Sequence, residues 1–289
     1  MRRRSVAEAG ELLISRVRRM AGLSQNGARE LIRLGKVSVD GATRVEWSLA
    51  LAGGERVEID TDRRRPSRRT GFSEDGIVFR DRHLLVVEKP CGIVTAPPTR
   101  TGEPTLLDLL NGLVGSGARG RDVVAVHRLD HGTSGLMVFA FRGPGLAAIE
   151  RMIAVHGMDR RYLAIVDGLP REGLYESVVD VTRQRFGGSR EEKLAKTWVR
   201  VVERRGPLCL VECRLETGRF HQIRIQLAGE GTPLLGDEEH CPAGHKWSWR
   251  CRRLALHSHH LEFVHPVEGT RLRFESSLPE ELTRCLGLL

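Results

Sequence analysis

What this 289-residue chain lacks narrows its possibilities first. Its longest uninterrupted apolar stretch, Leu136 to Phe141, falls far short of the roughly 20 residues that a membrane-spanning helix needs. The basic start, Met1 to Arg4, has no apolar segment behind it, and Glu8 and Glu11 count against a transit peptide. A cytoplasmic location is therefore expected. The six cysteines, at positions 91, 209, 213, 241, 251 and 285, include no CxxC pair. A chain of this length needs no disulfide staples, so free thiols in a reducing compartment are expected. There is no Walker A motif, and Gly132-Thr-Ser-Gly135 lacks the spacing of a nucleophile elbow. Gly115-Ser-Gly117-Ala-Arg-Gly120 does fit GxGxxG, but the order around it is reversed. Helical spacing (Leu106, Leu107, Leu110) precedes the glycines and a strand-like run, Val123 to Val126, follows them. A dinucleotide site needs strand, turn, helix in that order, so the segment reads as a loop and no nucleotide cofactor follows from it.

Acidic residues are scarce in one part of the chain. Residues 1–70 hold 16 Lys and Arg against 9 Asp and Glu, whereas the remaining 219 residues carry 30 against 28. Most of the formal +9 and the pI near 9.8 thus belongs to a basic N-terminal unit joined to a nearly neutral larger one. The join is Thr61 to Asp75, with Arg63, Arg64, Arg65, Arg68 and Arg69 around Pro66. It is too polar and too like-charged to bury a core of its own and reads as a linker.

Within the basic unit, Ser24 is placed to cap a helix running from Gln25 to Leu34, with Gly35 as its stop. Arg29, Arg33 and Lys36 follow at i, i+4, i+7 as one basic stripe, while Ala28, Leu31 and Ile32 can pack. Lys36 to Val39 alternates like a strand and turns at Asp40-Gly41, a strong hairpin signal. A further short strand, Arg56 to Ile59, follows Gly53-Gly54. With the helical Ser15–Ala21 stretch, "LSQNGARELIRLGKVSVDG" and "GGERVEI", the segment from Leu12 to Ile59 resembles an S4 domain, a small α/β RNA-binding module. That resemblance implies that Arg29, Arg33 and Lys36 meet RNA backbone, positioning the protein without reading sequence.

The larger unit has short apolar, β-branched runs at Leu84–Val87, Val123–Val126, Leu136–Phe141, Tyr162–Val166, Trp198–Val202 and Leu208–Val211, with few helical segments, notably Leu146 to Val155. An α+β domain on a largely antiparallel sheet is expected. Three places interrupt the pattern. The strand Val123–Val126 runs straight into His127-Arg128-Leu129-Asp130-His131-Gly132, where a loop would present a carboxylate to a cleft. Arg160-Arg161-Tyr162 opens a strand with one of only two tyrosines. Finally, Thr217 to Arg224 follows a strand and continues as a helix by the spacing of Phe220, Ile223 and Leu227, which puts His221 and Arg224 on an adjacent face. Spacing alone leaves Asp130 open as a turn cap, Arg224 as a structural ion-pair residue and Tyr162 as an ordinary strand residue.

The ordered blocks "VVEKPCGIV", "AVHRLDHGTSGLMVFA", "RRYLAIVDG", "AKTWVRVVE", "LETGRFHQIRIQLA", "PLLGD" and "LHSHHLEFVHPVEGTRLRF" are similar to the RluA-type pseudouridine synthases over roughly residues 75–280. The resemblance implies a pseudouridine synthase fold on a mixed, largely antiparallel sheet. It divides the chain into an S4-like domain at 1–60, a basic linker at 61–75 and a catalytic domain at 76–289. It also implies that Asp130 is the catalytic aspartate, Tyr162 the tyrosine beneath the target base and Arg224 the arginine paired with the carboxylate. Arg128, His127, Arg219, His221, Gln222 and Lys89 fall in the same blocks as expected substrate or RNA contacts. Isomerising uridine breaks N1–C1′ and joins C5 to C1′, for which an ionised carboxylate suffices. Attack on C1′, attack on the base and proton removal from C2′ all remain open to it. A neighbouring guanidinium is expected to lower the pKa of Asp130, and a basic side chain to fill the gap left by an extruded uridine.

Neither metal nor cofactor is expected. Cys241-x3-His245 and Cys251-x5-His257 are no zinc signature, and His257 already has a place in the family's "LHA" block. One block departs from the pattern: where the family continues "GD-x-x-Y-G", Gly236-Asp237 is followed by Glu238, Glu239, His240 and Cys241. The partner expected is structured RNA, with large-subunit rRNA favoured and tRNA next, and the chain is expected to be a monomer. The competing readings are a non-catalytic RNA-binding or ribosome-assembly factor and a zinc-dependent nucleic-acid binder.

Overall fold

The computed structural model describes residues 2–33, 36–43, 47, 49–60, 72–96, 104–115, 122–180, 192–242, 245 and 251–287. The chain divides into two compact units, Met1–Thr70 and Gly71–Leu289. Most of the expected linker, the stop at Gly35 and the glycines of the GxGxxG segment beyond Gly115 lie outside the described residues. Phe72 is already buried in the core of the second unit, so that unit begins before the expected residue 76.

The first unit is a four-stranded antiparallel sheet carrying two helices. Its strands are β1 (Arg2–Val6), β2 (Val37–Val39), β3 (Ala42–Thr43) and β4 (Arg56–Asp60), in the order β1-β4-β2-β3. Helix α1 (Leu13–Ala21) ends at Gly22, whose φ of 69° lets its N–H reach the Arg18 carbonyl. Helix α2 (Gln25–Arg33) begins where the Ser24 hydroxyl accepts the Gly27 N–H at 3.3 Å. Ala28 and Ile32 turn inward with Leu13, Val17, Val37, Val57 and Ile59 to form the core. The Asp40-Gly41 hairpin has both residues at positive φ (48° and 80°), the conformation that a two-residue turn between twisted strands requires. Lys36 departs from the expected helical stripe: it stands just ahead of β2, outside α2 (Gln25–Arg33).

The second unit is built on a ten-stranded sheet. Eight strands follow the order β10-β11-β12-β9-β13-β8-β6-β5, with β14 paired to β13 and β7 to β8. They are β5 (Ile77–Arg80), β6 (Leu84–Lys89), β7 (Val123–Ala125), β8 (Ser134–Phe141), β9 (Met158–Asp167), β10 (Gly173–Asp180), β11 (Glu192–Arg205), β12 (Leu208–Leu215), β13 (Leu256–Val264) and β14 (Arg271–Glu275). Every expected strand is present. Strand β8 is buried along its whole length, as its unbroken apolar sequence requires. Alternation in β6 sends Leu85 and Val87 to one face, with Met137, Phe139, Tyr162 and Val211, where α3 (Leu106–Leu110) and α5 (Gln222–Gly229) pack. It sends Leu84 and Val86 to the other, beneath α4 (Leu146–Ala154). Helix α6 (Glu280–Gly287) covers Ile165, Leu208 and Leu210.

Among the described residues, all pairings in this sheet are antiparallel except β13 on β8. At that junction Gly135 faces Ser258, and its φ is 108°. A Cβ there would lie 2.2 Å from the Ser258 carbonyl oxygen, so only glycine fits. Side chains lock the junction. Arg253 Nη2 donates to Ser134 Oγ at 2.7 Å, Ser134 meets His257 Nδ1 at 2.8 Å, and His257 Nε2 meets Ser276 Oγ at 3.0 Å. Ser276 in turn donates to Glu88 at 2.7 Å. Gly135→Ala is expected to lower unfolding stability by at least about 2 kcal/mol, read as a lower urea midpoint. Gly112→Ala, whose Cβ would meet nothing within 4 Å, should change it by less than about 1 kcal/mol.

Candidate active site

The turn between β7 and β8 carries Asp130 and is fastened from below by residues 89–95. Thr95 Oγ1 donates to the Leu129 carbonyl at 2.8 Å and accepts the Leu129 N–H at 3.2 Å. Gly92 N–H donates to the His131 carbonyl at 2.8 Å, and Cys91 Sγ to that of Gly132 at 3.3 Å. Lys89 is fully buried and donates to the carbonyls of Ile93 (2.8 Å), Pro90 (3.0 Å) and His131 (3.4 Å). Burial holds its ammonium pKa down to about 8, against the pull of Cys91 and Asp130. Lys89 was expected to contact RNA; its donors instead hold the Asp130 turn in place.

Helix α5 brings Arg224 to that turn. Its guanidinium is withdrawn from water and makes a two-pronged pair with Asp237, Nε to Oδ2 and Nη2 to Oδ1, both at 2.7 Å. The remaining edge points to Asp130, with Nη1 at 3.4 Å from Oδ2. Burial alone would raise the Asp237 carboxyl, but the bonds and charge of Arg224 outweigh it and hold the group below its ordinary range. Asp130 titrates the other way. Burial raises its pKa above the ordinary 3.8 despite Arg224, Arg128 and Lys89. This reverses the expected lowering, because Arg224 gives its short bonds to Asp237 and offers Asp130 only a long one.

Tyr162 stands on β9, opposite Cys213 of β12 and Ser258 of β13. Burial raises its phenol pKa; Arg160 and the Ser258 hydroxyl oppose the shift, and the charge of Asp130 adds to it. Of the expected trio, Arg224 thus reaches Asp130 directly, and the charge of Asp130 is felt at Tyr162. His221 joins them from the residue before α5, in the left-handed region at φ 52°. Its ring stacks on Phe220 with centroids 3.6 Å apart and places Nε2 3.7 Å from Asp130 Oδ2. Burial, reinforced by Arg224, drives its pKa down to about 3, so the ring is neutral.

The other expected contacts separate into two groups. Gln222 is buried: it donates to Lys196 O (3.0 Å) and Thr197 Oγ1 (2.8 Å) and accepts from Thr217 Oγ1 (2.8 Å) and Arg219 N–H (3.0 Å). His127 accepts the Val138 N–H at 2.9 Å, and burial together with the charge of Arg160 lowers its pKa to about 3. Both are occupied with the scaffold rather than turned to a ligand. Arg128 is exposed, whereas Arg219 is partly exposed, with Nε on the Leu194 carbonyl at 3.2 Å. In the first unit, Arg29 lies 4.5 Å over the Trp47 ring. Lys36 is half-buried, and the Arg33 side chain lies outside the described residues.

Sequence reasoning missed Asp237 and Arg160. Asp237 could have been found only as a carboxylate in "PLLGD". Arg160 shares a strand face with Tyr162, is buried, and has no hydrogen-bond partner for Nε among the described residues. Its guanidinium lies against Gly218, where a Cβ would come within 2.8 Å of Nη1. The histidines of the 240–260 region disperse: His245 meets Asp167 at 3.1 Å, His257 the two serines at the sheet junction, and His259 Glu212 at 3.2 Å.

The raised pKa of Asp130 fixes the sign of its effect on stability. The folded state holds its proton more tightly than the unfolded chain, so the ionised carboxylate opposes folding above the folded pKa. That cost fades as pH falls to 3.8 and below. Asp130→Asn is expected to raise the urea midpoint at pH 7, with the gain narrowing as the pH is lowered.

The RNA pseudouridylate synthase family model matches residues 83–229. The ribosomal large subunit pseudouridine synthase D of Zymomonas mobilis is 37% identical over 232 residues, 74% of this chain and 72% of its own. Its namesake from Xanthomonas campestris is 31% identical over 283 residues, covering 92% and 85%. The structure titled Human RNA Pseudouridylate Synthase Domain Containing 4 superposes with a TM-score of 0.61 at 22% identity, over 74% of this chain and 92% of that one, and shares the fold. With that fold and those matches in place, the chain belongs to the RNA pseudouridine synthase family and is an isomerase.

Proposed function

We propose that this chain isomerises uridines in structured large-subunit ribosomal RNA, with Asp130, Tyr162 and Arg224 as its catalytic residues. The observation that carries the assignment is their convergence. Asp130 keeps one-fifth of its side chain open to solvent, Arg224 reaches it from α5 at 3.4 Å, and its charge is felt at Tyr162 on β9. The rRNA target is supported by the names of the relatives from Zymomonas mobilis and Xanthomonas campestris.

In this reading the ionised Asp130 carboxylate acts beside the ribose as the N1–C1′ bond breaks. The detached uracil turns on the flat face of Tyr162, C5 bonds to C1′ and gives up its proton, and N1 regains one. Arg224 holds the carboxylate in place and stabilises its charge, and Asp237 fixes Arg224. In this reading the exposed Arg128 enters the helix as the uridine leaves it. Arg160, a buried cation without a carboxylate bonded to it among the described residues, suits an RNA phosphate. The first unit, whose sequence resembles an S4 domain and whose α2 is basic, serves in this reading as a backbone anchor through Arg29, Arg33 and Lys36.

Tritium release from [5-³H]uridine-labelled rRNA measures the reaction. Asp130→Asn should reduce it by on the order of 10³-fold or more, and retained activity would refute the role of Asp130. Because only the ionised form acts, the acid limb of the wild-type rate should lie above pH 3.8. Removal of Met1–Thr70 should weaken RNA binding and shrink the slope of log affinity against log salt by about 0.7–0.9 for each lost phosphate contact. Filter binding at several salt concentrations reads this directly; an unchanged slope would refute the anchor.

A further inference from the structure

One cluster beside Asp130 has no part in the chemistry above. His221, Glu239 and His240 each offer a ligand atom, and all three atoms lie within 4.8 Å of one another. His221 Nδ1 is 2.9 Å from His240 Nε2 and 3.5 Å from Glu239 Oε2, and Glu239 Oε1 is 3.9 Å from His240 Nε2. Ligands at about 2.0–2.1 Å from a tetrahedral ion stand about 3.3 Å apart, so small side-chain rotations bring all three onto one centre.

The backbone already holds them there. The Glu239 and His240 N–H groups both donate to Asp237 Oδ1 at 3.1 Å, which makes a tight turn out of "DEEH". His221 is pinned by its left-handed backbone and its stack on Phe220. The local charge also favours a cation, since Arg224 has the carboxylates of Asp130, Asp237 and Glu239 within 4 Å.

We propose that His221, Glu239 and His240 form a binding site for a zinc-class divalent cation, and that occupancy restrains the catalytic carboxylate. Two imidazoles and a carboxylate with an open position select zinc, cobalt(II) or copper(II) over magnesium or calcium. The expectation from chain spacing was that no metal binds; this site is assembled across the fold, out of reach of that argument. Coordination through Nδ1 moves the His221 proton to Nε2, the atom 3.7 Å from Asp130 Oδ2. A histidine bound to metal on one nitrogen and facing a carboxylate with the other is a recurrent arrangement. Here the carboxylate it would capture is the one that must stay free for uridine. The restraint rests on the proposed role of Asp130, whereas metal binding does not.

The test uses the full chain, stripped of metal and titrated with Co²⁺ while its visible d–d absorption is followed. One Co²⁺ per chain, displaced by Zn²⁺, is expected, with affinity at least about 10-fold weaker in His240→Phe and in Glu239→Gln. Absence of the band, or equal affinity in both variants, would overturn the site. In tritium release, Zn²⁺ should inhibit the wild type and inhibit each variant less, relative to its own metal-free rate. Stoichiometric binding without inhibition would overturn the link to Asp130. A metal-free wild type that releases no tritium would instead refute the proposed function, and the Co²⁺ titration would still decide the site.

Discussion

A guanidinium withdrawn from water must find acceptors for its donors, and Asp237 supplies the two best ones to Arg224. The pair is mutual: Asp237 is nearly inaccessible and would be costly to bury charged without that fork. Once Nε and Nη2 are committed at 2.7 Å, the direction of Nη1 is no longer free, and it faces Asp130. The same Asp237 oxygen gathers the N–H groups of Glu239 and His240. A single buried ion pair thus sets the arginine, the turn beyond it and the spacing to Asp130. Replacing Arg224 with lysine would keep a charge but lose the fork.

The scaffold around this pair works by occupying residues that look reactive. Lys89, His127 and Gln222 are polar and sit in motif-rich blocks, yet each spends its hydrogen bonds on backbone or buried side chains. Their effect on Asp130 is positional. A carboxylate whose pKa is raised by burial is held in an unfavourable setting, and Lys89 and Thr95 bind the turn around it so that it does not relax into water. Stability is given up at Asp130 and recovered in the carbonyl-binding clasp beneath it, a division common to functional sites.

Much of this was legible along the chain because it depends on local rules. Runs such as Leu84–Val87 and Leu208–Val211 became strands because β-branched residues suit a pleated surface. Asp40-Gly41 became a hairpin because its turn needs two positive φ values. The blocks that carry Asp130, Tyr162 and Arg224 were readable, and the family they pointed to is the one to which the chain belongs. Strand β1, Arg2 to Val6, was not, since its sequence is polar and its order comes from backbone pairing with β4 and from Arg4 meeting Glu58 at 3.1 Å. The raised pKa of Asp130 was hidden for a related reason. It depends on how Arg224 divides its bonds between two carboxylates, and the deciding one, Asp237, lies beyond α5. Arg160 likewise stands out only once its burial on the strand face of Tyr162 is seen, with no partner for Nε among the described residues.

The insertion of β13 between β8 and β9 also imposes an order in time. The Asp130 turn leads into β8, Tyr162 stands on β9, and the strand joining those two edges comes after both in the chain. A nascent chain that has not reached residue 256 holds Asp130, Tyr162 and Arg224, but the sheet that brings them together still has a gap at its centre. Its N-terminal unit, whose core draws only on residues before 60, has no such wait. Because domains fold largely as units during synthesis, the basic unit can be complete on the ribosome while the catalytic one is unfinished. A premature stop before residue 256 would then release a protein with a folded first unit and an incomplete central sheet.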